Sequence, residues 1–434
     1  MSEPSGQPPS SGAPAPAAAP PQAAAPAAPA LTPAQKKAQA KAEKAARRGQ
    51  VVAAKVVPPA QNSPAAKGPK KTALATGGPT PVPAAAQKAK GPKIPDMYSH
   101  LYTAKKLPLS KADKDVHPSV LAIGQQMANF TLKDNSARLE AMLVAFMKVM
   151  ESYETPVGQT FTRHFLPQCL NPQIDYLIGC RPMCASMGNA IRMLKAKIAN
   201  LVELNVPDEE AKETLRTAIE LFIQERILYA EDAIVSKAVS IIEDDETLLT
   251  YGHSRLVRLS LQKAHAAGRK FKVTVVDDAV DEALDCSGRE LAKILRDDGI
   301  EVTYQPQLFG IDSHIKSVSK VLLGAEAMFA NGSIYAPAGT AEIAEAAKSS
   351  DVPVVALLET VNCDRERVSA GTLTYNEIDP EAFEADSFRL LFDTTPGKSI
   401  SIVVTESEEA NASGSTSAIL SALKRLDERH VNSN

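Results

Sequence analysis

"LLTYGHSRLVRLSLQKAHAAGRKFKVTVVD" fills positions 248–277. A short apolar run enters a turn through Gly252. A helix-forming segment follows, and a β-branched run ends at Asp277. Strand, turn, helix, strand is the unit from which parallel sheets are built. Further along, "IEVTY" (300–304), "AMFA" (327–330), "VPVVALL" (352–358) and "SISIVVT" (399–405) read as strands. "SGRELAKILRDDG" and "GTAEIAEAAKSS" read as helices between them. The expectation is an α/β chain with a Rossmann-like parallel sheet over 246–434, covered on both faces. Ligands in such sheets sit beyond the carboxyl ends of the strands. "GHS", "NGS" and "VNCD" each follow a strand and are expected to share one cleft.

Upstream, over 96–245, the period is helical. Leu139, Met142, Leu143, Phe146, Val149 and Met150 form one stripe, and Met187, Ile191, Leu194, Ile198 and Leu201 another. A long helix begins near Asp208, whose acidic first turn suits the positive end of a helix dipole. Leu215, Ile219, Phe222, Ile223, Ile227, Ala230, Ile234 and Ala238 mark its buried side. Prolines 156, 167, 172 and 182 are expected between helices.

Residues 1–95 differ from the rest. They hold 13 Lys+Arg against 2 Asp+Glu, a net +11, so the remainder carries −14 to reach the overall −3. Nineteen of the 31 prolines lie there too. Such a segment buries no core and reads as a disordered basic tail. Ala34–Arg48 within it is rich in helix formers. The tail lacks the leucine-rich stretch of a secretory signal, and no run reaches the ~18 apolar residues of a membrane span. The expectation is a cytoplasmic chain that binds no membrane. Its tail holds no aromatic residue, so any nucleic-acid binding is expected to be weak and salt-sensitive.

The five cysteines (169, 180, 184, 286 and 363) are odd in number and lack zinc-like spacing. They are expected as free thiols, with no metal and no cofactor implied. His253 and Ser254 are adjacent in a turn and point apart, so they make a poor nucleophile–base pair. The plainer reading is Ser254 as a helix cap with Gly252 allowing the turn. Glu326 would serve as an acid or base, or as a polar residue at a sheet edge. Arg181, at a helix start before Pro182, would bind an anion or make a salt bridge across the junction of the two halves.

Three motifs taken together resemble one family. "CRPMCASMGNAIR" (180–192), "TLLTYGHSRLV" (247–257) and "VLLGAEAMFANGSIYAPAGTAEIA" (321–344) are similar to the regulatory subunits of eukaryotic translation initiation factor 2B. The helical half and the basic extension resemble the delta type. The family is similar in fold to isomerases of methylthioribose 1-phosphate and ribose 1,5-bisphosphate. The resemblance implies a cysteine in the loop matching 251–254 and an aspartate in "GAD", and here those places hold no cysteine and Glu326. It therefore implies a retired active site, with Arg181, Gly252, Ser254, Glu326 and Asn331 lining a vestigial pocket. The chain departs from the family at "DAVDEALDCSGRE" and after residue 405. As a non-catalytic regulatory subunit it would assemble with alpha, beta, gamma and epsilon subunits. It would pair with beta and help sense the phosphorylated alpha chain of initiation factor 2, controlling translation initiation under stress. The alternative is an isomerase-like protein with a ligand pocket. For partner contact, Glu225, Tyr229, Asp232 and Ser236 share the long helix's polar face, where a tyrosine suits an interface.

Overall fold

Between residues 118 and 241 the chain is helical, and beyond them a sheet organises the packing. The structure, a computed structural model, describes residues 94, 96–101, 115–278, 287–380, 388–407 and 413–432. The expected tail, its Ala34–Arg48 segment and Cys286 lie outside the described residues.

The helical part runs α1 (Pro118–Ala128), α2 (Asn135–Glu151), α3 (Phe161–Phe165), α4 (Asn171–Cys180), α5 (Ala185–Glu203), α6 (Asp208–Ile223) and α7 (Tyr229–Ile241). Asp134 caps α2 by accepting the Ala137 N–H at 3.1 Å, satisfying one orphan donor of its first turn. The two expected stripes are buried on α2 and α5 and interlock in one core with Leu215 and Ile219 of α6.

Two of the expected proline breaks are absent. Pro167 and Pro172 lie inside a continuous helical run from Phe161 to Cys180, where Leu166–Leu170 form a π turn joining α3 to α4. A wider turn tolerates the missing N–H and the ring, which would break a regular α-helix.

A second π turn, Gln224–Leu228, joins α6 to α7. Ile219 and Ile227 are both buried although eight positions apart. At about 100° per residue that spacing would turn the second side chain some 80° away from the first. The extra residue of the π turn brings them back into line.

The sheet part comprises β1 (Glu246–Tyr251), α8 (Arg255–Ala266), β2 (Phe271–Val276), α9 (Ser287–Asp297), β3 (Glu301–Gln305), α10 (Ile311–Ile315) and β4 (Lys320–Gly324). There follow β5 (Ala327–Met328), β6 (Ile334–Pro337), α11 (Thr340–Ser349), β7 (Val354–Leu357), β8 (Phe392–Thr395), β9 (Ile402–Val404), β10 (Ser413–Gly414) and α12 (Thr416–Asn432). The main sheet has the order β10-β9-β7-β4-β1-β2-β3, and every pairing is parallel except that of β10. This is the Rossmann-like order, in which the chain reverses direction between β1 and β4.

"AMFA" is not one of these parallel strands. Residues 327–328 begin a separate antiparallel sheet, β5-β6-β8. The main-sheet strand at this point is β4, and Glu326 follows it in the loop rather than opening a strand. The two apolar runs are separated by only Ala325 and Glu326, too little signal to divide them by eye.

Each face of the main sheet has its own core. Leu249, Val321, Leu323 and Val354 pack on one side with α10, α11 and α12. Leu248, Val273, Leu322 and Val355 pack on the other with α8, α9 and Ile234, Val235 and Ala238 of α7. The 208–241 helix therefore contributes Leu215 and Ile219 to the helical core and Ile234 to the sheet core. Its π turn lies at the seam.

Candidate functional site

The chain reversal between β1 and β4 opens a crevice of about 60 Å³. Its walls come from the ends of β1, β4 and β7 and from the start of α2. Gly252 has φ +58°, in the left-handed region that favours glycine, and lets β1 turn sharply into α8. Ser254 takes the N-cap position of α8 with extended backbone, yet its hydroxyl makes no capping bond. The expected side-chain cap is absent because Ser254 instead packs against Gly324. A Cβ on Gly324 would land inside the Ser254 hydroxyl. The serine and that glycine together set how closely the ends of β1 and β4 approach.

Glu326 faces the same crevice and is half-buried. Burial pushes its carboxyl up to about 8, helped by the nearby charges of Asp134 and Glu359 and opposed by Arg138 and Arg181. Glu359, after β7, is buried, and burial pushes it up to about 7. The start of α2 closes over both. Asn135 donates from Nδ2 to the Glu326 carbonyl at 3.2 Å, and the Ser136 hydroxyl donates to Glu359 Oε1 at 3.3 Å. From α5, Asn189 donates to the Val361 and Cys363 carbonyls at 2.7 and 3.1 Å. The helical part thus clamps the carboxyl end of the sheet.

The structure brings Ser254 and Glu326 to this crevice, with Gly252 shaping the turn above it. Arg181 and Asn331 do not line it. Arg181 is fully buried, donates from Nε to Glu377 at 2.7 Å and from Nη1 to the Leu132 carbonyl at 3.2 Å. Its guanidinium also lies 4.1 Å from the centroid of the Phe130 ring, and Phe130 itself has φ +55°. With its donors so engaged, the salt-bridge reading of Arg181 replaces the anion-binding one. Asn331 is exposed in the turn between β5 and β6 and donates to the Ser369 carbonyl at 2.8 Å. "NGS" belongs to the small sheet and so cannot join "GHS" in one cleft. Of "VNCD", only Asn362 reaches the crevice.

Sequence reading missed Asp134 and Glu359. Asp134 carried a capping signal but sits more than a hundred residues from the other walls. A larger cavity of about 520 Å³ lies beside the small sheet, walled partly by Phe329, Tyr335, Tyr375 and Phe392, with Arg138 and Glu377 among its polar residues.

Glu225, Tyr229, Asp232 and Ser236 are all exposed on the long helix. Asp232 and the Ser236 hydroxyl meet Lys263 Nζ of α8 at 2.7 and 2.9 Å. Leu221 and Leu228 are exposed on the same helix, and Tyr229 is 66% exposed.

The profile of the Initiation factor 2 subunit family matches residues 134–407. The chain belongs to that family. This initiation factor 2 family member is 37% identical over 284 residues to translation initiation factor eIF2B subunit delta of Schizosaccharomyces pombe. The alignment covers 65% of this chain and 59% of that one, so the chain spans about three fifths of its curated relative. Among solved structures it is similar to a chain of the tetrameric eIF2B-beta2-delta2 complex from Chaetomium thermophilum. There the identity is 52% and the TM-score 0.68, covering 72% of this chain and 98% of that chain. The family member is also 28% identical over 240 residues to ribose 1,5-bisphosphate isomerase of Methanocaldococcus jannaschii, covering 54% and 73% of the two chains. Among the described residues no helix is long and apolar enough to cross a membrane.

Proposed function

We propose that this chain is a delta-type regulatory subunit of the guanine-nucleotide exchange factor for translation initiation factor 2. The similarity to a chain of the beta2-delta2 complex, spanning 98% of that chain, carries the reading. The subunit pairs with beta and assembles with alpha, gamma and epsilon subunits in the cytosol. Exchange chemistry resides in epsilon, and this chain performs none. The crevice supports that division of labour. Arg181 is consumed by Glu377, and no cysteine lines the crevice among the described residues. A sugar-phosphate isomerase needs its phosphate and its proton-transfer groups held to within about 1 Å. Purification of the tagged chain from its cell, followed by native mass spectrometry, is expected to recover all four other subunit types. Recovery of the chain alone would overturn the reading.

Glu225, Tyr229 and Asp232 form the surface that meets the phosphorylated alpha chain of initiation factor 2. An exposed tyrosine flanked by Leu221 and Leu228 offers the apolar anchor that interfaces use. Tyr229→Ala is expected to weaken inhibition of exchange by the phosphorylated factor about tenfold while leaving assembly intact. An unchanged inhibition curve from an intact complex would exclude this surface.

A further inference from the structure

The crevice between β1 and β4 is supplied with hydrogen-bond acceptors that lack donors. Glu326 has no hydrogen-bond or ion-pair partner for its carboxylate among the described residues. Asn362 is 2% exposed, donates from Nδ2 to Glu359 Oε2 at 3.0 Å, and leaves Oδ1 without a partner. A buried acceptor left unmade loses its hydration without replacement, so it marks a place where a donor is missing. We propose that this crevice binds the ammonium head group of a primary amine, held by Glu326, Glu359 and the free Oδ1 of Asn362.

The charges agree. Asp134, Glu326 and Glu359 line the crevice, and Arg255, the cation on its wall, is paired with Glu231 at 2.5 Å. The first turns of α2 and α8 also face it, each worth roughly half a positive charge. Arg138 stands behind with a further charge, its Nη2 engaged by the Pro182 carbonyl at 2.5 Å. With all three carboxyls ionised, one arginine and two half-charges leave a deficit of about one positive charge, which an ammonium supplies. Burial is the chief cause of the raised carboxyls of Glu326 and Glu359, so an entering ammonium draws a proton off Glu326. A phosphate would enter against these carboxylates. An ammonium offers three donors and no acceptor, which matches an acceptor-lined wall.

Size selects the ligand. A cavity of about 60 Å³ is well below the ~300–1,000 Å³ of ordinary small-molecule pockets. It fits a head group on a narrow stem, as in a lysine side chain or a linear diamine. Among the described residues no cluster of His, Cys, Asp and Glu is arranged to ligate a metal ion, so an organic cation is the better match.

The test is calorimetric titration of the full chain at low salt with butylammonium, with 1-butanol as the uncharged analogue and inorganic phosphate as the anion. Butylammonium is expected to bind at one site, and the other two are expected not to bind. Glu326→Gln and Asn362→Ala are each expected to weaken butylammonium about tenfold. Asn362→Asp, which adds a carboxylate while keeping size, is expected to tighten it. Thermal melts of the variants verify folding, and chemical-shift mapping of butylammonium on the wild-type chain reads the site without any substitution. Shifts confined elsewhere, equal affinity in folded Glu326→Gln, or binding of phosphate in place of the amine would overturn the proposal. Putrescine and N-acetyl-lysine methylamide distinguish the source. Tighter binding of the first assigns a free diamine, and tighter binding of the second assigns a lysine side chain.

Discussion

Glu326 shows how one carboxyl ties stability to pH. Its folded pKa is raised to about 8 from an ordinary 4.5, chiefly by burial. The folded chain therefore holds a proton that the unfolded chain gives up between those values. Stability from this group is fully present below about pH 4.5 and is lost as pH rises through 8. Asp134 and Glu359 face it and deepen the effect, while Arg138 and Arg181 oppose it. Glu326→Gln is expected to flatten that slope and to stabilise the chain near pH 9 by on the order of 1–3 kcal/mol. Chemical denaturation of both proteins from pH 5 to 9 reads this directly, and parallel slopes would refute it. Gly324 makes a second residue-scale case. Gly324→Ala is expected to cost about 1–3 kcal/mol by driving a methyl into Ser254. The double variant Gly324→Ala/Ser254→Gly is expected to recover most of that loss in urea unfolding. At this scale Gly252 and Glu326 were legible, because a turn glycine and an acid beside a strand leave local signals. Asp134 and Glu359 were not, since nothing in a linear sequence says that the start of α2 folds over the end of β7. Arg181 was legible as a site of charge but not as one whose charge is spent on Glu377, a residue 196 positions away.

Among the elements, the π turn of Gln224–Leu228 sets the phase of everything after it. Deleting exposed Arg226 would convert the turn toward regular helix and rotate α7 by about 100° relative to α6. Ile227 or the Ile234–Ala238 face would then leave its core. The deletion is expected to cost about 2–5 kcal/mol while preserving most helical signal in circular dichroism. A denaturation midpoint like that of the parent would show that the turn is idle. The stripes of α2 and α5 were readable because their period is regular. The π turns were not, because an inserted residue disturbs a periodic pattern in the same way as noise. Pro167 and Pro172 misled for that reason: their rule holds for α-helices, and the chain uses a different helix there. β4 was passed over and "AMFA" read in its place because both runs are short and apolar, and only pairing partners separate them.

Across the whole molecule, the order of a helical part and then a Rossmann-like sheet followed from the change of period near residue 246. The alternation of strand and helix carried the parallel topology with it. What alternation cannot carry is which sequence segments share a core, because that depends on contacts far apart in the chain. The 208–241 helix illustrates this. Its sequence groups it with the helices before it, whereas Ile234, Val235 and Ala238 join the sheet core beside α8 and β9.

That sharing decides whether either half can live alone. A fragment ending at residue 245 keeps α7 but loses its partner surface, exposing Ile234, Val235, Ala238 and Ile242 to water. It is expected to self-associate in size-exclusion chromatography. A fragment ending at 223 exposes none of these and is expected to elute as a smaller species. A fragment beginning at 246 keeps α8 and α9 on that side of its sheet but bares the part that α7 covers, and is expected to need chaperone help to stay dispersed. During synthesis, α7 leaves the ribosome before the sheet that will cover it. The growing chain must therefore carry an incompletely covered helix until α8 and, much later, β9 arrive, and this interval is where its assembly is most exposed to error.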